Sequence, residues 1–443
     1  MITSIQEQLA HRFDAVASWL DHERSLVRLP VYTSFDLRDS GVKASIVDSN
    51  LFPAGFNNLS AHAQQEASRQ MARFLPNISK SRDVLIIPEA HTRNRYYLAN
   101  LCALRRILMD AGYQVTLGTV REDADETITV RDACEHDLVL ERMRNVSGRL
   151  TTRSFTGGII LLNNDFSVGA PALLASIKDP IIPLPELGWA HRRKYNHFRH
   201  LCSLTHRFAA SFGLDHWLLC TLIAEVSDID FAQGRNIEKV ALAVDAMLAD
   251  LRKKYAQYGI TDNPYVFIKD NSGTYGMGIL TVSSGKEVLD LNSKARRSMR
   301  FGKQKSAITS VIIQEGISTK HRVDGAAAEP VLYAVGGQVV GGFMRVHDEK
   351  DPLASLNAPG AKFDILLKDK ITAPIIDINQ QELSIYRVLA DLAMVAVGQE
   401  TADALAGVNE GEHAGHSLIA VNGTSGRNEG EGILPDQHDG GRA

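Results

Sequence analysis

No stretch of the 443-residue sequence reaches eighteen consecutive apolar residues, so a membrane-spanning helix is not expected. Cysteine is scarce. Cys102, Cys134, Cys202 and Cys220 are scattered and form no Cys-x-x-Cys pair, which argues against a disulfide framework and for reduced, mostly packed thiols in a cytoplasmic protein. Neither sign of charge dominates: 48 Lys and Arg stand against 52 Asp and Glu. A net charge of −4 gives no bulk attraction to nucleic acid or to an anionic membrane surface. The first residues, MITSIQEQLAHRFDAV, lack the basic-then-apolar order of a signal peptide and read as an amphipathic helix. No internal repeat is present. What remains, 44% hydrophobic and 23% charged, is ordinary for a multi-domain globular protein.

Leu9, Phe13, Val16 and Leu20 recur at helical spacing over residues 1–26. Residues 29–60 are rich in turn-forming and polar side chains, and a helix is expected near 59–75. DVLIIPE (83–89), YQVTLGT, GGIILLNND and PIIPLP read as strands, with a helix over 93–112 carrying Tyr97, Leu101, Leu104 and Leu108 on one face and Gly112 past its end. Strands interleaved with helices predict a largely parallel α/β sheet in an N-terminal domain over 1–188. From Trp189 the pattern turns helical to about residue 260. An α+β module follows over 261–408, and 409–443, rich in Gly, Glu, Asn and His, reads as a tail.

Three segments of the third section carry chemistry. In YVFIKDNSGTYGMGILTVSS (265–284) an apolar strand ends in Lys269, a loop holds Ser272, Gly273, Thr274, Gly276 and Gly278, and a second strand leaves. Glycines bring backbone N–H groups close to phosphate oxygens, and the lysine supplies a point charge. No Gly-Lys-Ser/Thr opens a helix here, and a strand rather than a helix follows, so neither an NTPase phosphate loop nor a dinucleotide fingerprint fits. Alone, the segment is also consistent with a plain hairpin. In SVIIQEGI (310–317) a strand runs into Gln314 and Glu315, a pattern many strands share. In AEPVLYAVGGQVVGGFMRVH (328–347) Gly336-Gly337 joins two strands, with Glu329 at the start and Arg345 near the end. SLNAPGAKF (355–363) then places Asn357 in a loop.

The order of these parts resembles the ATP-grasp fold of glutathione synthetases and D-alanine–D-alanine ligases, over about residues 190–365. The resemblance implies that residues 189–260 and 261–408 form a two-subdomain ATP-binding module. It also implies that Lys269 and residues 273–278 hold the phosphates and that Gln314 and Glu315 sit by the nucleoside. Arg345 would steady the transferring phosphoryl group, with Asn357 beside it. ATP with Mg²⁺ is the implied cofactor. The family's late acidic metal strand is not matched: SLIAVNGTSG (417–426) has Ala420 where Glu is wanted, which leaves Glu329 as the metal candidate.

The thirty residues before Ser60 mix Asp36, Arg38, Asp48, Asn50 and Asn57 with the string NLFPAGFNN. Arg38 would serve an amino-acid carboxylate, and Asp36 or Asp48 its ammonium, with Asn50 and Asn57 adding neutral hydrogen bonds. A surface loop packed by Phe52 and Phe56 is an equal reading of the composition. DLRDSGVKASIVDSNLFPAGFNNL, together with KDNSGTYGMGI, resembles the proteobacterial family of glutamate–cysteine ligases, and the similarity runs to about residue 400. The implied substrates are glutamate and cysteine and the implied product γ-glutamylcysteine, with no nucleic-acid or membrane partner. Another carboxylate–amine ligase, or a non-catalytic ATP-binding protein, would keep the same nucleotide motifs. Glu89 and Arg93, at the end of the 83–89 strand, are further substrate candidates, though a charged helix start explains them equally. His197 and His200 share a helical face without an acidic partner nearby in sequence, so they read as part of a basic face rather than a metal site.

Overall fold

The computed structural model describes residues 1–90, 94–119, 121, 125–273, 278–300, 307–365 and 384–414. Residues 1–404 form one compact unit and 405–443 a second. The expected N-terminal helix is two, α1 (Ile2–Ala10) and α2 (Phe13–Ser25), broken at His11 and Arg12. Leu9, Val16 and Leu20 are buried as the spacing predicts, whereas Phe13 begins the second helix and is left exposed.

The turn-rich stretch is in fact a hairpin, β1 (Tyr32–Asp39) and β2 (Ala44–Asn50). Every residue of β1 is buried, including Thr33, Ser34, Asp36, Arg38 and Asp39. Apolar and polar residues alternate only over Phe35–Arg38, yet no face is left to solvent, because both faces are covered and the charges are paired inside the protein.

The α/β alternation is realised in the next section. Strands β3 (Asp83–Pro88), β4 (Gln114–Thr119), β5 (Thr127–Arg131), β6 (Asp137–Arg142), β9 (Ile159–Asn163) and β10 (Ile181–Ile182) form one sheet, with the small hairpin β7 (Arg144–Val146) and β8 (Arg149–Thr151) inserted between β6 and β9. The order is β10-β9-β3-β4-β6-β5, parallel throughout except for β5 on β6. Helices α3 (Ala61–Phe74) and α4 (Arg95–Asp110) cover one face, capped by Ser60 and Asn94, whose side chains accept the N–H groups of Ala63 and Tyr97.

Helix α5 (Lys194–Phe212) follows, but Ile223–Ser227, in a stretch expected to be helical, is a strand, β11. It pairs antiparallel with β14 (Ser310–Glu315), and that pairing overrides the local helical pattern. With β12 (Val266–Asp270) and β13 (Ile279–Val282) it makes an antiparallel sheet of order β11-β14-β12-β13, packed on α6 (Ile237–Tyr258), with the short α7 (Gly285–Leu289) and α8 (Ser293–Ser298) after β13. The last sheet joins the two ends of the chain. Its order is β18-β17-β16-β1-β2, formed by β16 (Ala326–Val335), β17 (Gln338–His347) and β18 (Lys362–Ile365), with β15 (Arg322–Val323) also on β16. The boundary expected at residue 188 therefore does not divide the sheets, since β1 and β2 hydrogen-bond into a sheet from the third section. Gly336 and Gly337 turn β16 into β17 with φ +57 and +76, values that suit glycine and the tight mirror-image hairpin turn.

One apolar core lies between α1, α2, α5, α6, α9 (Ile385–Ala414) and the two antiparallel sheets. A second joins α3 and α4 to the parallel sheet on one side and β16–β17 on the other. Residues Val388–Val397 of α9 are buried throughout, as their apolar run requires, and its one charge, Asp391, pairs with Arg24 at 2.9 Å.

Candidate active site

The site is built where the two antiparallel sheets face each other. On one, Asp36 of β1 lies opposite Asp48 of β2 and opposite Val331 of β16, and Glu329 of β16 lies opposite Arg345 of β17. This register places four ionisable side chains in one row. Arg345 binds both oxygens of Asp36 and donates to Glu329 Oε1 at 2.8 Å. Arg38 binds the other Glu329 oxygen and donates also to the carbonyls of Ile317, Pro352 and Ala354, at 3.3, 2.8 and 2.7 Å. Asp36, Arg38, Glu329 and Arg345 are each at least nine-tenths buried, and Asp48 is partly exposed. On the facing sheet Lys269 reaches across from β12, donating to Gln314 Oε1 at 2.6 Å and to the Val47 carbonyl of β2 at 3.2 Å. Lys194, at the start of α5, pairs with Asp48.

Burial drives the charges of this cluster apart. It raises the Asp36 carboxyl, with Arg345 opposing. Glu329, which has two guanidinium partners, is held below its usual value by Arg38 and Arg345 despite burial. Asp48 is likewise held low, against burial, by Lys194 and Lys269. Burial pushes the Lys269 ammonium down to about 8, with Asp48 opposing and Lys194 and Arg38 adding to the fall. Three carboxylates therefore meet four cations, an excess of positive charge that suits an anionic ligand.

Two cavities flank the cluster. The smaller lies between the sheets, with Phe267, Lys269 and Ile279 on one wall and Asp36, Arg38, Asp48 and Glu329 on the other. The larger, about 760 Å³ with its open mouth, is lined by Asn50 to Ala54, Asp165, Trp189, Tyr333, Phe343 and Arg345. Asn357 lines both. Arg345 Nε, buried and without a hydrogen-bond partner, is an uncommitted donor in this cluster. The NLFPAGF string is a built loop. Asn100 accepts the N–H groups of Gly55 and Phe56 at 2.9 and 3.0 Å, and Asn163 donates to the Pro53 carbonyl at 3.0 Å. A Cβ at Gly55 would lie 2.5 Å from the Tyr333 hydroxyl, so only glycine lets the loop approach that ring.

Lys269, Arg345, Asn357, Asp36, Arg38, Asp48, Glu329 and Asn50 thus come together. The remaining sequence candidates are placed differently. Gln314 touches the cluster only through Lys269, and Gln314 and Glu315 are both buried and engaged within the fold. Gln314 Nε2 donates to Thr221 at 3.1 Å, and Glu315 accepts from Lys43 at 2.8 Å and from the Leu222 N–H at 3.0 Å. Ser272 donates to Asp270, and Gly273 and Gly278 flank the loop, Gly278 at φ +63. Asn57 contacts Asn58 and lines neither cavity. Glu89 stands one step back, accepting the Asp165 N–H at 3.2 Å. Thr274, Gly276 and Arg93 lie outside the described residues, as does the 417–426 segment.

Lys194 and Trp189 were not among the sequence candidates, whereas Asp165, at the end of the GGIILLNND strand, reads from sequence as Glu89 and Arg93 do. Lys194 was hidden in a basic helix start whose acidic partner is remote in sequence. The same remoteness concealed Glu400 of α9, which accepts from His197 at 2.8 Å and from Arg192 at 3.1 Å. The expected basic face therefore does have its carboxylates, Glu400 and, for His200, Asp403.

A family model of glutamate-cysteine ligases matches residues 6–401. The crystal structure of a protein from Methylobacillus flagellatus KT assigned as a gamma-glutamylcysteine synthetase superposes with a TM-score of 0.82 at 34% identity, covering 90% of this chain and 96% of that one. D-alanyl-alanine synthetase A from Vibrio cholerae matches with a TM-score of 0.35 at 10% identity over 72% of this chain and 81% of its own, a likeness too weak to carry an argument. No curated protein matches the sequence. The fold is mixed α/β with several sheets, and the chain belongs to the glutamate-cysteine ligase family. It is an ATP-using ligase that joins glutamate to cysteine. Among the described residues no helix is long and apolar enough to cross a membrane.

Proposed function

We propose that the terminal phosphates of ATP occupy the smaller cavity and the amino-acid substrate the larger one, so that the γ-carboxyl of glutamate meets the γ-phosphate at Arg345. The observation that carries this is the position of the Arg345–Asp36–Glu329 cluster as the wall between two cavities that share Asn357. A carboxylate is a poor electrophile, and transfer of the phosphoryl group converts it to an acyl phosphate with a good leaving group. The cysteine amine then attacks the acyl carbon, the C–O bond breaks, and phosphate leaves. Lys269 and Arg345 would neutralise charge on the transferring group, and their rigid burial means little reorganisation during the step. Trp189, Phe52 and Phe343 would shield the acyl phosphate from water.

The oxygen donors of Asp36, Asp48 and Glu329 fit a hard cation such as Mg²⁺, although each carboxylate is already engaged by a cationic side chain. Glu329 and Asp48 would hold the ion together with phosphate oxygens, and it would supply further charge neutralisation.

Glutamate carrying heavy oxygen in its γ-carboxyl tests the reading. One labelled oxygen should appear in the released phosphate, ADP release should require glutamate, and Lys269→Met should abolish turnover with the fold retained. Product formation with no label in phosphate would overturn the acyl-phosphate route.

A further inference from the structure

The edge of the parallel sheet remote from this site holds a cluster that the ligase reaction does not use. Arg95 and Cys102 lie two turns apart on one face of α4. Arg95 clamps the β5–β6 loop, donating from Nε and Nη2 to the Asp132 carbonyl at 3.0 and 2.7 Å, while the Ala133 N–H donates to the Arg95 carbonyl at 3.2 Å. Inside the loop Asp132 Oδ1 accepts the N–H groups of Cys134 and His136, both at 2.8 Å, and Oδ2 lies 3.1 Å from His136 Nδ1. The Cys102 thiol faces the same carboxylate. As a result a Cys102 sulfur, an Asp132 oxygen and a His136 nitrogen lie within 4.8 Å of one another. Asp132 is buried, Cys102 half-buried and His136 exposed, so the cluster is anchored on one side and open on the other.

We propose that Cys102, Asp132 and His136 bind a divalent zinc-type transition-metal ion that ties the β5–β6 loop to α4. A thiolate, an imidazole and a carboxylate are a borderline-soft donor set, suited to zinc and ill suited to magnesium or calcium. Around zinc, with bonds of about 2.0–2.3 Å, tetrahedral ligand atoms lie roughly 3.3–3.8 Å apart. A cluster confined within 4.8 Å needs only small side-chain rotations to reach that spacing. The backbone N–H groups on Asp132 Oδ1 would fix the carboxylate from outside, as the partners of metal-bound carboxylates do. The fourth position, on the open side, would take water. Without metal, burial and the neighbouring Asp132 carboxylate push the Cys102 thiol up to about 12, so it keeps its proton. Binding exchanges that proton for the ion: the sulfur–hydrogen bond breaks, a sulfur–metal bond forms, and one proton goes to solvent.

The test uses the full chain, stripped with a chelator and titrated with Co²⁺ and then Zn²⁺. Wild type should bind one ion with a thiolate-to-cobalt charge-transfer band, displaced by Zn²⁺, and Zn²⁺ should raise its melting temperature. Cys102→Ser and His136→Ala should each lose the band, weaken Zn²⁺ binding at least about tenfold, and cancel the thermal shift. Cys202→Ser should leave all three unchanged. His136 is exposed, so its substitution keeps the proposal testable should Cys102→Ser fold poorly. Absence of a charge-transfer band in wild type, or a band that survives both Cys102→Ser and His136→Ala, would overturn it.

Discussion

Raising the pH should release ATP through Lys269. Its ammonium is buried between two sheets and titrates at about 8, where an exposed lysine would titrate at 10.5. Triphosphate oxygens arriving beside it would favour the charged form, so the bound complex keeps the proton that the free enzyme loses. Near pH 7 the free enzyme is mostly charged at this position; near pH 9 only about a tenth remains so, which corresponds to roughly tenfold weaker binding, or about 1.4 kcal/mol. The assay is a calorimetric titration of a non-hydrolysable ATP analogue from about pH 7 to pH 9, a range above the phosphate ionisation near pH 6. Calorimetry in buffers of different ionisation enthalpy should also record proton uptake on binding at the upper end. Lys269→Arg should bind with a flat profile, because a guanidinium stays charged, and Lys269→Met should bind weakly and equally flatly. Wild-type affinity that does not change over this range, or a slope that persists in Lys269→Met, would refute the reasoning.

Arg345→Met should abolish ligation and also destabilise the fold by about 3–5 kcal/mol, because it leaves Asp36 and Glu329 buried without their shared cation. Urea unfolding measures this, and adding Asp36→Asn and Glu329→Gln should recover part of the loss without restoring activity. Acid should weaken the protein in two stages. Burial pushes the His321 ring down to about 4, so its neutral form contributes stability that is present above pH 6.5 and lost as pH falls from 6.5 towards 4. Glu400, held to about 2 against burial by Arg192 and His197, contributes stability that is present above pH 4.5 and lost as pH falls towards 2. In Glu400→Gln the second stage, on the order of 3 kcal/mol, should be missing from unfolding free energies measured against pH. Gly55→Ala should raise the amino-acid KM about ten- to hundredfold more than the ATP KM in steady-state assays, since the added carbon meets the Tyr333 hydroxyl at the wall of the larger cavity.

What local sequence determined was the set of elements whose own chemistry is sufficient. The strands DVLIIP and IILLN are apolar runs, α4 and α6 carry helical periodicity, and Gly336-Gly337 allows one kind of turn. Lys269 and Arg345 stood out because each is a charge near the end of an otherwise mostly apolar strand. Tertiary structure decided the rest. Residues 32–50 could not be recognised as strands, because a buried row of Thr, Ser, Asp and Arg is stable only where Arg345 and Glu329 arrive from about three hundred residues away. The same holds for β11, whose strand conformation depends on hydrogen bonds from β14, and for the carboxylates of α9 that hold His197 and His200. Apolar burial can be read from pattern because water rejects each such side chain separately. A buried charge needs its partner, and where that partner lies is a property of the folded chain.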